Sequence, residues 1–227
     1  MKAVVFDIKG TLGHFRRPDT TATQLTYPFI TPIAAKGLVG AILGITDFVT
    51  KDRVGIQLLN PVRTTTQQLS MLGKDSGSSF NRPTTMELLV SPAYRIYYVG
   101  NEYTDELAKK LQNNSSVYHT YLGVAFAFTF PKYVGYYDEV KFILNDETIE
   151  TYSVVPTCMI EKLIIEEERY YSRAEGFMKD YLGKRRFEKS ISYIYEKDSK
   201  PIKFKLKPDN DEGCMAVNIG GMFICLI

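Results

Sequence analysis

Apolar and polar positions along this chain follow two periods, and the switches between them outline its elements. Lys2 to Ile8 is β-branched and aromatic with no breaker before Gly10, which predicts a first strand. Further on, Ile33, Ala34, Leu38, Ala41, Ile42 and Ile45 recur at helical spacing behind Thr31 and Pro32. Threonine at an N-cap followed by proline at the first helical position is a helix-start signal, and this stretch is therefore expected to be a helix. Gly37, Gly40 and Gly44 flank its apolar face. Glycine costs roughly 1 kcal/mol per helix-interior position relative to alanine, so the three together imply close packing against a sheet or a neighbouring backbone.

The alternation returns at Val54 to Leu59, Met86 to Val90 and Tyr94 to Val99, three further strand candidates. Arg63 to Arg82 has no clear period and is rich in Ser, Thr, Gln and Gly, which predicts a long loop inside the domain. Thr104 is expected to cap a short helix with Asp105 and Glu106 in its first turn, Lys109 and Lys110 near its end, and Asn113 or Asn114 as its stop. Gly123 to Phe130, Val140 to Leu144, Thr151 to Val155, Ser190 to Tyr195, Ile202 to Leu206 and Met222 to Ile227 read as later strands, and Glu166 to Glu168 as a solvated acidic run or part of a surface helix. Strand, helix, strands, helix, strands is the order of an α+β, ferredoxin-like (RRM-like) βαββαβ unit. It is expected over residues 1–150 with an insertion at 63–82, followed by a smaller, mostly β region over 151–227.

Composition adds bounds rather than function. With 44% apolar and 24% charged residues, the chain lies in the ordinary globular range and can bury a substantial core. Cys158, Cys214 and Cys225 form neither a disulfide framework nor a zinc-ligand spacing, which suits a reducing, cytoplasmic setting. No apolar run reaches the roughly 20 residues that a membrane-spanning helix needs. The net charge of +2 hides an asymmetry. Residues 1–100 hold 11 basic and 6 acidic side chains, residues 101–178 hold 7 and 13, and residues 179–227 hold 10 and 7. Basic ends and an acidic middle allow one face to meet nucleic acid and another a protein.

The densest candidate chemistry lies in Gly13 to Phe29, where His14, Arg16, Arg17, Thr20, Thr21, Thr23, Gln24 and Tyr27 fall in one span. Arginine matches phosphate geometry in a fork, and short hydroxyls bond phosphate oxygens or a 2′-hydroxyl, so the loop is a chemically sensible RNA cradle. On composition alone, an exposed loop with two arginines is more often simply solvated. Lys179, Lys184, Arg185, Arg186 and Lys189 make a second basic cluster open to the same two readings.

The chain resembles the CRISPR-associated RAMP proteins of the fifth Cas family. The resemblance is carried by the strand Val4 to Ile8, the glycine-aromatic-Arg-x-Pro loop Gly13 to Pro18, the Thr-Tyr-Pro-Phe turn Thr26 to Phe29 and the glycine helix Gly37 to Gly44, in that order over about 45 residues. Leu59-Asn60-Pro61 and Ser91-Pro92-x-Tyr94-Arg95-Ile96 echo it more weakly, and Ile30-Thr31 departs from it where many members carry a second proline. The resemblance implies a non-catalytic RNA-binding subunit of a type I CRISPR effector complex (Cascade), closest to type I-B. Such a subunit grips the 5′ handle of the guide RNA and contacts a backbone subunit and the large subunit. It meets target DNA only through the guide.

It also implies that the Arg63 to Arg82 insertion is a thumb-like hairpin. On this reading Arg16, Arg17, Thr20, Thr21, Lys36, Arg63, Lys74 and Arg82 are expected at phosphate or sugar, and Tyr27, Met71 and Phe80 at bases, with Leu69 and Leu72 as further wedges. A disordered surface loop is the plainer account of the insertion. No cofactor or metal is implied.

Two enzyme readings stand beside this one. One subtype of the resembled family cleaves guide-RNA precursors, and His119 lies among Tyr118 and Tyr121, where a metal-free ribonuclease could place a general acid or base. Val4 to Leu12 also resembles the opening motif of haloacid-dehalogenase-type phosphatases, with Asp7 as nucleophile. There Lys9 replaces the required second acid, and Asp209 and Asp211 sit in a Pro-Asn-Gly context that does not supply the later Asp-Asp strand end.

Overall fold

The computed structural model describes residues 1–75, 77–143, 147–207 and 213–227. Strand β1 (Lys2–Lys9) and the short β2 (Leu12–Gly13) precede helix α1 (Pro32–Leu43) and β3 (Arg53–Leu58). Next come β4 (Thr64–Asp75), β5 (Ser78–Val90), β6 (Ala93–Gly100), helix α2 (Thr104–Gln112) and β7 (Lys132–Tyr137). The remainder is β8 (Lys141–Phe142), β9 (Thr148–Thr151), β10 (Val155–Pro156), a 3₁₀ turn at Thr157–Met159, β11 (Ile160–Ile164), β12 (Tyr171–Tyr181), β13 (Phe187–Glu196), β14 (Ile202–Leu206), β15 (Met215–Ile219) and β16 (Met222–Leu226).

A four-stranded antiparallel sheet in the order β3-β6-β1-β7 is the centre of the molecule. Helix α1 lies in the connection from β1 to β3, and α2 in that from β6 to β7. Side chains alternate along a strand, so the unbroken apolar run of β1 requires cover on both faces. Val4, Phe6 and Ile8 are buried with α1 and α2, whereas Ala3 and Val5 are buried with Tyr97, Val99, Val217, Ile219, Ile224 and Leu226. Helices close one face of the sheet and β15–β16 close the other.

The second closure is tight. A Cβ on Gly55 would lie 2.4 Å from the Ile224 side chain, so only glycine admits β16 there. Val54 and Ile227 also exchange backbone hydrogen bonds of 2.9 and 3.1 Å. The sheet surface across Ala3, Val5, Tyr97 and Val99, which corresponds to the one on which RRM-like domains stack bases, is covered. The later strands form a six-stranded sheet, β11-β14-β9-β16-β15-β8, and a three-stranded one, β10-β13-β12. Strand β9 runs across position 150/151 and pairs with β14, and β8 pairs with β15.

Helix α1 begins as its sequence predicts, with the Thr31 hydroxyl accepting from the Ala34 amide. Its buried face is rotated from the expected one and comprises Ala35, Leu38, Val39, Ile42 and Leu43. The three glycines differ in role. Gly40 abuts Phe48, Gly44 closes the helix in the left-handed conformation, and Gly37 faces open space, so no sheet or backbone packs along all three. Helix α2 is not capped by Thr104. The Asp52 carboxylate instead accepts from the amides of Asn101, Glu102 and Tyr103 at 3.0, 3.2 and 3.0 Å, while the Thr104 hydroxyl donates to Gly100 O.

Gly123 to Phe130 is not a strand; it lies in a long connection from α2 to β7 whose one ladder contact is the isolated Tyr121–Phe128 bridge. The Thr151 to Val155 segment is split, its ends belonging to β9 and β10. Glu166 to Glu168 lies in the turn between β11 and β12 rather than in a helix. Leu144, Asp209 and Asp211 lie outside the described residues. Among the described residues no helix is long and apolar enough to cross a membrane.

Candidate nucleic-acid interface

The Gly13 to Phe29 segment is a stapled loop, not a free one. Phe15 and Thr26 close its neck, the Phe15 amide donating to the Thr26 hydroxyl at 2.9 Å and the Tyr27 amide to Phe15 O at 2.7 Å. Higher up, the Arg17 amide donates to Leu25 O. A second staple reaches β5, where the Gln24 amide donates to Thr85 O, the Glu87 amide to Gln24 O, and the Thr26 amide to the Glu87 carboxylate. The Thr-Tyr-Pro-Phe turn is the loop's anchor. Phe29 stacks on Phe177 at 5.0 Å and meets Tyr193 and Tyr195 edge-on, while Tyr27 lies 4.3 Å from Phe177.

Three residues expected at the RNA are turned into the protein. Tyr27 is buried, and its hydroxyl donates to Gly176 O at 2.5 Å, so burial raises its pKa and no ring face is left for a base. Lys36 is 7% exposed and bonds Asp180 on β12 at 2.7 Å, an ion pair that fastens α1 to that strand. His14 is 2% exposed, and its Nδ1 lies 2.7 Å from Glu87 O, so Nδ1–H donates to the carbonyl. Its Nε2 is buried without a partner, and burial pushes the imidazole below its ordinary pKa.

Arg16, Arg17, Thr20, Thr21 and Thr23 do share the outer rim of the loop. Arg16 is exposed, and Arg17 is held in a two-pronged fork by Asp19 at 3.1 and 2.6 Å. Thr20 is half-used, donating to Arg17 O and accepting from Leu25 N. Below the rim lies a polar cleft of about 530 Å³ between the loop, the base of β4–β5, and β12–β13. Its walls carry Arg17 and Glu87 together with Arg173, Glu175 and Lys197, which the sequence reading did not select. Arg173 is paired with Glu175 at 2.8 Å. An Arg-x-Glu near the start of a strand carries no signal that would have distinguished it.

The Arg63 to Arg82 region corrects the loop expectation and matches the hairpin that the resemblance implies. β4 and β5 pair in continuous register from Thr64–Leu89 to Asp75–Ser78. Arg63 sits at the base, while Met71 faces Arg82 across the ladder. Every residue from Ser78 to Pro83 is exposed, as is Lys74, and Leu72 is 74% exposed. Phe80 lies across Gly73, whose missing side chain leaves room for the ring. Lys184, Arg185 and Arg186 project from the β12–β13 turn. They lie at the opposite end of β12 from Arg173, roughly 30 Å away at about 3.3 Å per residue, so the structure does not join them to the loop.

For the enzyme readings, Asp7 is gripped by the Arg95 guanidinium at 2.8 and 2.9 Å. His119 is exposed and meets Phe128 edge-on.

The sequence matches no protein-family model and no curated protein. The fold does match solved structures. A CRISPR protein from Archaeoglobus fulgidus superposes with a TM-score of 0.56 over 99% of both chains at 13% identity. The chain shares the fold of that protein. A component of a CRISPR RNA-guided surveillance complex matches over 89% of this chain and 91% of its own length, with a TM-score of 0.53 and 11% identity. A chain of the type III-B Cmr-beta complex bound to cognate target RNA matches over 89% and 86%, with a TM-score of 0.50 and 9% identity. These Cas-fold neighbours share with this chain an arrangement of elements, at identities too low to carry over individual residues.

Proposed function

We propose that this Cas-fold chain is a non-catalytic RNA-binding subunit of a type I CRISPR effector complex, of type I-B character. It grips the 5′ handle of the guide RNA and caps the backbone of the complex beside its large subunit. The strand order and the two helix connections support a ferredoxin-like βαββαβ reading of the central sheet. The observation that carries the proposal is the pairing of a stapled cationic loop with a long hairpin exposed on both faces at its far end. Because β15–β16 close the sheet face, RNA is held by loop and hairpin instead.

Arg16 and Arg17 take phosphates at the rim, Arg17 exchanging Asp19 for the stronger-field ligand. Thr21 and Thr23 reach sugar or phosphate oxygens, and Arg63, Lys74 and Arg82 track the strand along the hairpin. Met71, Leu72 and the exposed edge of Phe80 meet unstacked bases. The test is a salt titration of binding to a labelled CRISPR-repeat RNA and to a scrambled RNA. Handle-preferring binding without cleavage is expected. Changing Arg16 and Arg17 together to alanine should make the logarithmic salt slope shallower by about one to two units. An unchanged slope would remove the loop from the interface, and cleavage within the repeat would move the protein to the processing nucleases.

A further inference from the structure

From Leu111 to Pro131 the chain contains no Asp, Glu, Lys or Arg, the longest charge-free stretch in its sequence. Such a window would normally be core. Here only Leu122, Ala127, Thr120 and Thr129 are fully buried in its outer half, while Val117, Tyr118, Tyr121, Phe126, Phe128 and Phe130 are exposed, Phe130 to 76%.

The segment is firmly framed. Thr120 and Thr129 bond each other twice, at 2.6 and 3.0 Å, and Thr129 bonds both the amide and the carbonyl of Lys9. Leu122 O accepts from the His14 amide, and the Val117 and Tyr118 amides donate to Ile42 O and Ala41 O. Tyr118 and His119 thus form a ridge between two open hollows. One, of about 400 Å³, is lined by Val117, Phe128 and Phe130, and the other, of about 620 Å³, is floored by Ala34, Gly37 and Ala41 of α1.

We infer that this face docks a second, different protein, through an apolar contact surface with carboxylates along its edge. Exposed aromatic groups on a rigid frame, with charge excluded from the centre, are the composition of an interface core. Lys9, Lys110 and Lys132 stand at its border, and among the described residues none of the three has an ion-pair partner. Three unpaired lysines select an acidic-edged partner. They also disfavour a second copy of this chain, which would bring lysines against lysines. A nucleic-acid strand fits less well, because the stretch offers no cation to its phosphates. The inference rests on the proposed function only for the source of the partner, another protein of the same complex.

The test co-expresses the tagged chain with the other Cas proteins of its own locus and the guide RNA. Native mass spectrometry then gives subunit ratios, and carbene footprinting gives protection of residues 117–130. Phe128→Ser with Phe130→Ser should lower the recovery of one protein subunit by about tenfold or more, with repeat-RNA affinity of the isolated variant within about twofold of wild type. Lys110→Glu with Lys132→Glu, which leaves the aromatic groups in place, should weaken the same subunit most at low salt.

Full recovery of all subunits in both variants, with the stretch unprotected, overturns the inference. So does a parallel loss of RNA affinity, which makes the face a nucleic-acid site, or a dimer of the isolated chain that the phenylalanine variant dissolves. Loss of handle preference with assembly intact overturns the proposed function and leaves the docking face standing. A wild-type chain that assembles with no other subunit overturns both.

Discussion

The two long hairpins of this molecule have the same secondary structure and opposite surroundings. β12–β13 buries Phe177, Ile191, Tyr193 and Tyr195 against the turn that carries Tyr27 and Phe29. Beyond its base, β4–β5 buries almost nothing, and from Ser78 to Pro83 it is exposed throughout. A two-stranded ribbon without a covered face is marginal in water. One hairpin is therefore a structural wall, and the other is a limb whose distal half is held by its own strand pairing with little side-chain packing.

That contrast can be broken most directly at Phe177. Phe177→Ala should cost about 3–5 kcal/mol in chemical denaturation, as for other buried aromatic truncations, and a loss below about 1 kcal/mol would show that the aromatic cluster does not hold the wall. Next in size is the ion pair that ties α1 to the same hairpin. Asp180→Asn leaves the Lys36 ammonium buried without its counter-charge and should cost about 1–2 kcal/mol, discounted because Asp180 is partly exposed. The RNA salt slope should stay at the wild-type value; a steeper slope would return the freed Lys36 ammonium to the interface.

The limb gives the reverse pattern. Replacing residues 70–81 with a two-residue turn should reduce repeat-RNA affinity about tenfold while moving stability by less than about 1 kcal/mol. Wild-type affinity would rule the hairpin out as an RNA contact.

The smallest effect lies at His14, under the base of the limb. Burial holds its pKa below the ordinary 6.5, so the unfolded chain takes up a proton before the folded one does. Stability from this group is fully present above about pH 6.5 and is lost as the pH falls below that value. His14→Gln should flatten that part of the pH profile of the melting temperature; an unchanged profile would place the acid sensitivity elsewhere.

Much of this fold was legible where one period ruled a whole segment. β1, β3, β6 and β14 lie within a residue or two of their apolar runs, and Thr31-Pro32 opens α1 where it should. Reading failed where surroundings overrode local pattern. β4–β5 has no alternation because neither face of its outer half is buried, so nothing selects apolar residues at every second position. The Phe126, Phe128, Phe130 alternation looks like a strand, yet all three point outward from a loop.

At the site, the sequence gives residue type but not orientation. Tyr27, Lys36 and His14 differ from their exposed neighbours only through partners 149, 144 and 73 positions away, which no local window contains.

The same separation has a consequence in time. The cationic loop is translated early, but the rings that anchor it, Phe177, Tyr193 and Tyr195, emerge about 150 residues later, on the order of 10–30 s at ordinary rates of synthesis. Until then Tyr27 and Phe29 have no partner and the loop has no fixed shape. On the proposed function, a ribosome-arrested chain ending before Tyr171 should therefore bind repeat RNA less well than the finished protein, and guide capture would follow completion of the polypeptide.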